Sequence, residues 1–286
     1  MLDSYTKITG IFGDPVGHSL SPLMQNAAFA AKGLNFIYLP FHVRKEDLAQ
    51  AVGAIISLGM AGVNVTAPHK EAIMPLLDEL SPEAALLGAV NTVLVKHGRL
   101  KGYNTDVDGF SRLLQNISPL SVKGEKVCLL GAGGAARAVC LALAKAEVGH
   151  LAILNRTLGK GKGILDMLCK NRLFKEKSTS LLQLEGEAFQ EAVSESAFII
   201  NCMSVDPIEA GLFSTDQGIG GLKAAIDLRY SPPELPLLKW AGQKGCHAVN
   251  GADMLLGQGI KAFEIFTGQA APLQVMQNTL HSQLYA

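Results

Sequence analysis

The sequence predicts an α/β fold in two domains. Three observations predict it. An apolar run, Val127-Cys-Leu-Leu130, leads directly into the glycine loop Gly131-Ala-Gly-Gly-Ala-Ala136 and then into a helical pattern, Arg137 to Ala144. Strand and helix patterns alternate from the start of the chain to about residue 105 without any such loop. A chain of 286 residues, 48% hydrophobic and 17% charged, is long and apolar enough for two separately buried cores.

In chain order, Ile8-Thr-Gly-Ile-Phe12 reads as the first strand, and a loop with Gly13, Pro15 and Gly17 follows. Ser21-Pro22 predicts a helix start, with Ser as N-cap, Pro at N1 and Gly33 as the C-terminal stop. Phe36 to Leu39 is the next strand and Asp47 to Leu58 the next helix. Gly62 to Thr66 is a strand expected to feed a helix beginning near Pro68. Val93 to Leu100 reads as two short strands about a His97-Gly98 turn. These elements, residues 1–106, predict a substrate domain. The second domain, 107–250, opens with a helix from Val107 to Ile117 and continues through strands at 127–130, 151–154, 197–201 and 224–227. The segment Leu173 to Gln190 is polar and weakly patterned, and helix is the expectation there. Helices from Gly251 to Phe266 and from Pro272 to Leu284 end the chain, and residues 251–286 are expected to pack back on the first domain.

The glycine loop has a chemical reading. Gly131 permits the tight turn out of the strand, Gly133 lets backbone approach a pyrophosphate, and Ala136 is the third small position, where helix packs on strand. With the following strand at βαβ spacing, the unit is a Rossmann dinucleotide site, with Ala132, Gly134 and Ala135 completing the loop. Past the second strand, Asn155-Arg156-Thr157 and Lys160 stand where NAD enzymes place an acid, and no acid occurs until Asp166. A carboxylate would repel a 2′-phosphate, whereas a guanidinium pairs with it, so the cofactor is predicted to be NADP.

Composition excludes other classes. Lys plus Arg and Asp plus Glu balance at 25 each, so no broad nucleic-acid or anionic-membrane surface is expected. The five cysteines, Cys128, Cys140, Cys169, Cys202 and Cys246, show no metal-ligand spacing and predict reduced thiols in a cytoplasmic protein with no metal. The N-terminus lacks the apolar core of a signal peptide, and no stretch is as long as a membrane span.

Three polar clusters lie at predicted strand ends, where open α/β sheets bind ligands. In Ser19-Leu20-Ser21, an extended segment would point both hydroxyls at one polyol. In Asn64-Val-Thr-Ala-Pro-His-Lys70, Asn64 and Thr66 share a face, and Lys70 falls in the first turn of the expected helix. A lysine there opposes the helix dipole, a violation that a catalytic amine would justify. The third is Gly102-Tyr-Asn-Thr-Asp106, preceded by Asn91-Thr92; by itself Asn-Thr-Asp reads as a helix cap.

Together, and in this order, these motifs resemble the shikimate dehydrogenase family nearly end to end. The matching stretches are Gly13-Asp-Pro-Val-Gly-His-Ser-Leu-Ser-Pro22, Asn64 to Lys70, Gly88-Ala-Val-Asn-Thr92, Gly102 to Asp106, Gly131 to Ala136, Asn155-Arg-Thr157, Asn201-Cys-Met-Ser204 and Asn250-Gly251 with Leu256-Gly-Gln258. The resemblance implies reversible NADPH-dependent reduction of 3-dehydroshikimate to shikimate in a cleft between the domains. It implies Lys70 and Asp106 as the catalytic pair, and Ser19, Ser21, Asn64, Thr66, Asn91, Tyr230 and Gln258 as further substrate ligands. Met203, Leu228 and Gly251 would join the glycine loop and the Asn155 to Lys160 segment around the cofactor. Three stretches differ from the family pattern. Met203 and the Ser-Val-Asp-Pro that follows replace smaller residues, Arg229 stands where a hydrophobic residue is commoner, and glycine rather than alanine follows Gln258. The expected partner is a small-molecule substrate, with the protein a monomer or homodimer. The alternatives are an NAD-using quinate/shikimate dehydrogenase and a non-catalytic NADP-binding regulator of the same fold.

Overall fold

The computed structural model describes residues 2–212, 220–232 and 234–285. The chain opens with β1 (Lys7–Gly13), α1 (Ser21–Ala31), β2 (Phe36–His42), α2 (Leu48–Ser57) and β3 (Gly62–Val65). It continues through β4 (Glu79–Leu80), α3 (Pro82–Leu87), β5 (Thr92–Lys96), β6 (Arg99–Tyr103) and α4 (Asp106–Asn116). Then come β7 (Lys126–Leu130), α5 (Gly134–Lys145), β8 (His150–Leu154), α6 (Leu158–Lys170), β9 (Thr179–Leu182), α7 (Gly186–Ser194) and β10 (Phe198–Asn201). The last elements are β11 (Ala224–Asp227), α8 (Pro236–Gln243), β12 (His247–Asn250), α9 (Ala252–Thr267) and α10 (Leu273–Leu284).

The chain forms two compact units, residues 1–109 with 255–286 and residues 110–254. In the first, the strand order is β2-β1-β3-β5-β6-β4. β1 runs parallel to β2 and β3, while β5 is antiparallel to both β3 and β6. The hairpin between β5 and β6 turns at His97 and Gly98, both at positive φ, the geometry a two-residue hairpin needs. Val63, Val90 and Val93 are fully buried beneath α2, whose Ile55 is fully buried as well. Phe29 of α1 stacks on Phe263 of α9 with ring centroids 5.4 Å apart. The second unit has one parallel sheet in the order β12-β11-β10-β7-β8-β9. Its central strands β7, β8, β10 and β11 are buried on both faces and read as nearly unbroken apolar runs. β7 and β10 flank the point at which the strand order reverses, where doubly wound sheets bind ligands.

Three local expectations are corrected. α1 starts one residue earlier than the capping reading requires: Leu20 is helical in φ/ψ, Ser21 lies inside the helix, and Ser19 Oγ accepts the Ser21 N–H at 3.3 Å. The N-cap position thus falls on Leu20, no side chain caps the helix, and the segment is not extended. No α-helix follows Pro68; the chain makes turns and one short 3-10 helix, Met74–Leu76. The Lys70 carbonyl accepts the Val90 N–H at 2.8 Å, and the buried His69 ring donates through Nε2 to the Val43 carbonyl at 2.6 Å, so tertiary bonds take the place of a helical ladder. The dipole argument for Lys70 falls with that helix. The segment from 173 to 190 holds a strand as well as a helix: β9 pairs with β8 at the sheet edge, where half-buried residues carry no strong alternation.

Candidate active site

The sheet register of the first unit brings distant polar residues to one end. Asn64 of β3 stands opposite Thr92 of β5, and Thr92 opposite Tyr103 of β6. Because β5 runs against its neighbours, the residues after β3, before β5 and after β6 converge. Lys70, Asn91 and Asp106 are thereby collected from three loops.

Lys70 Nζ donates to Asp106 Oδ2 at 2.6 Å across 36 residues of sequence. The lysine side chain is 20% exposed and the carboxylate 7%, so the pair is sheltered with the amine as its wetter end. Asp106 is also the first residue of α4, where the helix dipole favours a carboxylate. Its other oxygen accepts Asn91 Nδ2 at 2.8 Å, and Asn91 Nδ2 also donates to Thr105 Oγ1 at 3.0 Å. Asn91 Oδ1 accepts the Thr105 N–H at 2.8 Å and the Thr92 hydroxyl at 2.9 Å. Asn64 continues the network: Nδ2 donates to Thr92 Oγ1 at 2.8 Å and to the Asn91 carbonyl at 3.1 Å, while Oδ1 accepts the Tyr38 hydroxyl at 2.7 Å. Burial pushes the Tyr38 phenol far above its ordinary pKa, and the Ser21 side chain partly opposes that. Asn104 Oδ1 accepts the Asp106 N–H at 3.0 Å, a turn bond that leads the chain into α4, while Asp106 faces Lys70.

The remaining predicted substrate residues are placed as follows. Thr66 follows β3 immediately, and its methyl lies so close to Gly13 that a Cβ there would meet it at 2.4 Å. Gln258 lies on α9, with Nε2 bonded to the Leu255 carbonyl at 2.8 Å. Tyr230 belongs to the second unit, and burial raises its phenol above the ordinary value. Tyr38, Thr92 and Thr105 belong to the network although the sequence reading did not single them out. Thr92 and Thr105 adjoin named motif residues, but Tyr38 sits within an apolar strand and carries no local signal.

In the second unit a cavity of about 570 Å³ opens beside the glycine loop. Gly131, Ala132 and Gly133 form one side, Asn155, Arg156, Thr157 and Lys160 a second, and Cys202, Met203, Ser204 and Val205 a third. Gly131 has φ +101°, which only glycine adopts without strain, and a Cβ there would also meet Met203 Cγ at 3.0 Å. A Cβ on Gly133 would meet no protein atom within 4 Å. Gly133 also precedes the first turn of α5, so the empty space lies over free helix N–H groups, an anion-binding arrangement. Gly134 and Ala135 are the first residues of that helix. Gln183 Nε2 donates to the Arg156 carbonyl at 3.1 Å, steadying the basic segment from β9, and Glu185 lines the same cavity. Both were invisible without β9. The residues present fit a phosphorylated dinucleotide, with oriented N–H groups for the pyrophosphate and two cations where a 2′-phosphate would lie.

Met203 lines this cavity, whereas Leu228 and Gly251 lie outside its lining. Gly251 has a packing reason to be glycine: a Cβ there would fall 1.9 Å from the Leu228 carbonyl oxygen. Among the described residues no cluster of His, Cys, Asp or Glu is arranged to hold a metal ion, and no helix is long and apolar enough to cross a membrane.

Three family models match successive stretches of the chain. The shikimate dehydrogenase substrate binding domain matches residues 11–93, the shikimate / quinate 5-dehydrogenase model 112–209, and the shikimate 5'-dehydrogenase C-terminal domain 251–281. The NADP(+) shikimate dehydrogenase of Carboxydothermus hydrogenoformans is 42% identical over 98% of this chain and 98% of its own. A shikimate dehydrogenase crystallised with NADP+ superimposes with TM-score 0.88 at 35% identity, covering 100% of this chain and 98% of that one. Quinate dehydrogenase from Corynebacterium glutamicum in complex with NAD gives TM-score 0.86 at 29% identity, covering 97% and 99%.

Proposed function

The chain belongs to the shikimate dehydrogenase family, and from that premise we propose which of its residues run the reaction. The protein is an NADP-dependent oxidoreductase that reduces 3-dehydroshikimate to shikimate reversibly. NADPH, when bound, supplies the hydride. Lys70 hydrogen-bonds the carbonyl oxygen on which negative charge grows and gives it a proton; in the reverse direction it removes the hydroxyl proton. Asp106 aims the amine and holds it near the substrate hydroxyls. Proton transfer of this kind contributes about 10²–10⁴-fold in rate.

Ser19, Ser21, Thr66, Tyr230 and Gln258 are assigned to the hydroxyls and carboxylate of the substrate. Asn64 and Asn91 are assigned to the substrate as well; Asn91 also braces Thr105 and Asp106, and Asn64 braces Thr92 and the Asn91 carbonyl. Gly131, Gly133 and the start of α5 are assigned to the pyrophosphate, and Arg156 with Lys160 to the 2′-phosphate. We further take the protein to be cytoplasmic and monomeric or homodimeric; five free cysteines support the first of these.

The observation that carries this assignment is the sheltered Lys70–Asp106 pair, braced by Asn91. It also disfavours a non-catalytic regulator, which has no need of a poised amine. The test follows NADPH absorbance with shikimate or quinate against NADP+ or NAD+. Turnover is expected chiefly with shikimate and NADP+. NADPH binding without turnover of either acid would overturn the assignment.

A further inference from the structure

Two of the departures from the family pattern meet in space. Arg229, just past β11, forks onto two buried carboxylates. Its Nη2 donates to Asp206 Oδ2 at 2.7 Å and to Asp227 Oδ2 at 2.6 Å, and its Nε donates to Asp227 Oδ1 at 3.0 Å. Asp206 and Asp227 are buried, and the guanidinium is one-fifth exposed. Burial opposes the charge on Arg229, but Asp227 and Asp206 outweigh it and keep the group protonated. The carboxylates are otherwise well supplied. Asp206 also accepts the N–H groups of Ile208 and Leu237, and Asp227 accepts Asn201 Nδ2 and the Arg229 N–H.

Asp206 belongs to the segment that leaves β10, and residues 202–205 with Ala210 and Leu212 form one wall of the dinucleotide cavity. Ser204 and Val205 are exposed, while Met203, Ile208 and Leu212 on either side pack against the core of this unit. Polar ties hold the exposed part. Asn201 donates to the Val205 carbonyl at 3.0 Å and accepts the Met203 N–H at 3.0 Å, and Arg229 grips Asp206. Arg229 itself does not line the cavity.

We propose that Arg229 is a positioning residue for the cofactor, clamping the wall segment through Asp206 so that NADPH affinity depends on a side chain outside the cavity. The two departures are then one device. The proposal rests on the assignment of this cavity to NADP(H).

The test titrates NADPH, followed by its fluorescence, into wild type, Arg229→Met, Arg229→Lys, Asp206→Asn and the Asp206→Asn/Arg229→Met double variant, with Kd for shikimate and thermal midpoint measured alongside. Kd for NADPH should rise about tenfold in Arg229→Met and Asp206→Asn, at the upper part of the range for residues without ligand contact. The double variant should be no weaker than the worse single one, Arg229→Lys should recover part of the loss, and Kd for shikimate should hold. Should Arg229→Met fail to fold, Asp206→Asn, which keeps the side-chain shape and an oxygen for the Ile208 N–H while removing the charge that Arg229 pairs with, carries the test. A lowered thermal midpoint with unchanged NADPH Kd would reduce the cluster to a structural staple, and multiplicative effects in the double variant would deny the shared link. Failure of wild type to bind NADPH would remove the cavity assignment itself, a result distinct from either.

Discussion

Replacing Lys70 by Met removes the amine while keeping most of the side-chain length. The proton then has no donor at the carbonyl oxygen, and kcat should fall about 10²–10⁴-fold. That is about 2.7–5.4 kcal/mol on the barrier, at 1.36 kcal/mol per decade. Ground-state binding changes less, because one hydrogen bond exchanged with water is worth about 1 kcal/mol. KM for shikimate should therefore move only a few-fold. Stability should also drop. The pair lies between an exposed bridge worth under about 1 kcal/mol and a buried one whose rupture costs about 3–5. With 20% and 7% exposure, and with Asn91 and the α4 terminus still supporting Asp106, about 1–3 kcal/mol is expected. Asp106→Asn should give a kcat loss of similar order, and the double variant little more than either single one, because groups acting as a unit are non-additive. Steady-state kinetics in both directions, with urea unfolding alongside, measure all of these quantities. Near-normal kcat with a raised KM in Lys70→Met would refute the proton-transfer role, and multiplicative losses in the double variant would refute the coupling.

Gly133→Ala should fold normally, since the added methyl meets no protein atom within 4 Å, yet weaken NADPH by standing where phosphate must approach; a calorimetric titration and a thermal melt separate the two effects. Arg156→Ser should cost NADPH about 1.5–3 kcal/mol, the worth of a hydrogen bond to a charged group, and leave NADH nearly unchanged; equal losses for both would contradict the 2′-phosphate assignment. Burial, reinforced by Lys126 and opposed by Glu195, holds the His150 imidazole below its ordinary 6.5. The folded protein then binds fewer protons than the unfolded chain as pH falls through that value, so stability present above it is lost below. His150→Gln should flatten this loss in urea titrations between about pH 7 and about pH 5, and an unchanged pH slope would exclude His150 as its source.

Much of the site was legible because several motifs announce local chemistry. The glycine loop names its own backbone geometry, and Arg156 and Lys160 stand beside it in the lining of the same cavity. What misled was also local. Ser21-Pro22 has the composition of a helix cap, but the N-cap position falls on Leu20 and no side chain caps the helix. Pro68 looks like a first-turn proline, but the Lys70 carbonyl is taken by Val90 and the His69 ring by Val43. β9 escaped notice because an edge strand half covered on each face has no strong period.

The order of the motifs along the chain, the glycine turn out of β7, and the alternation of apolar runs were determined by the sequence alone, because each depends on neighbours within a few residues. Which side chains meet was decided only by the tertiary structure. Lys70 finds Asp106, Asn64 finds Thr92 and Arg229 finds Asp206 through sheet register, chain reversal and crossover, and these partners are set by the burial of whole strands rather than by the residues that finally touch.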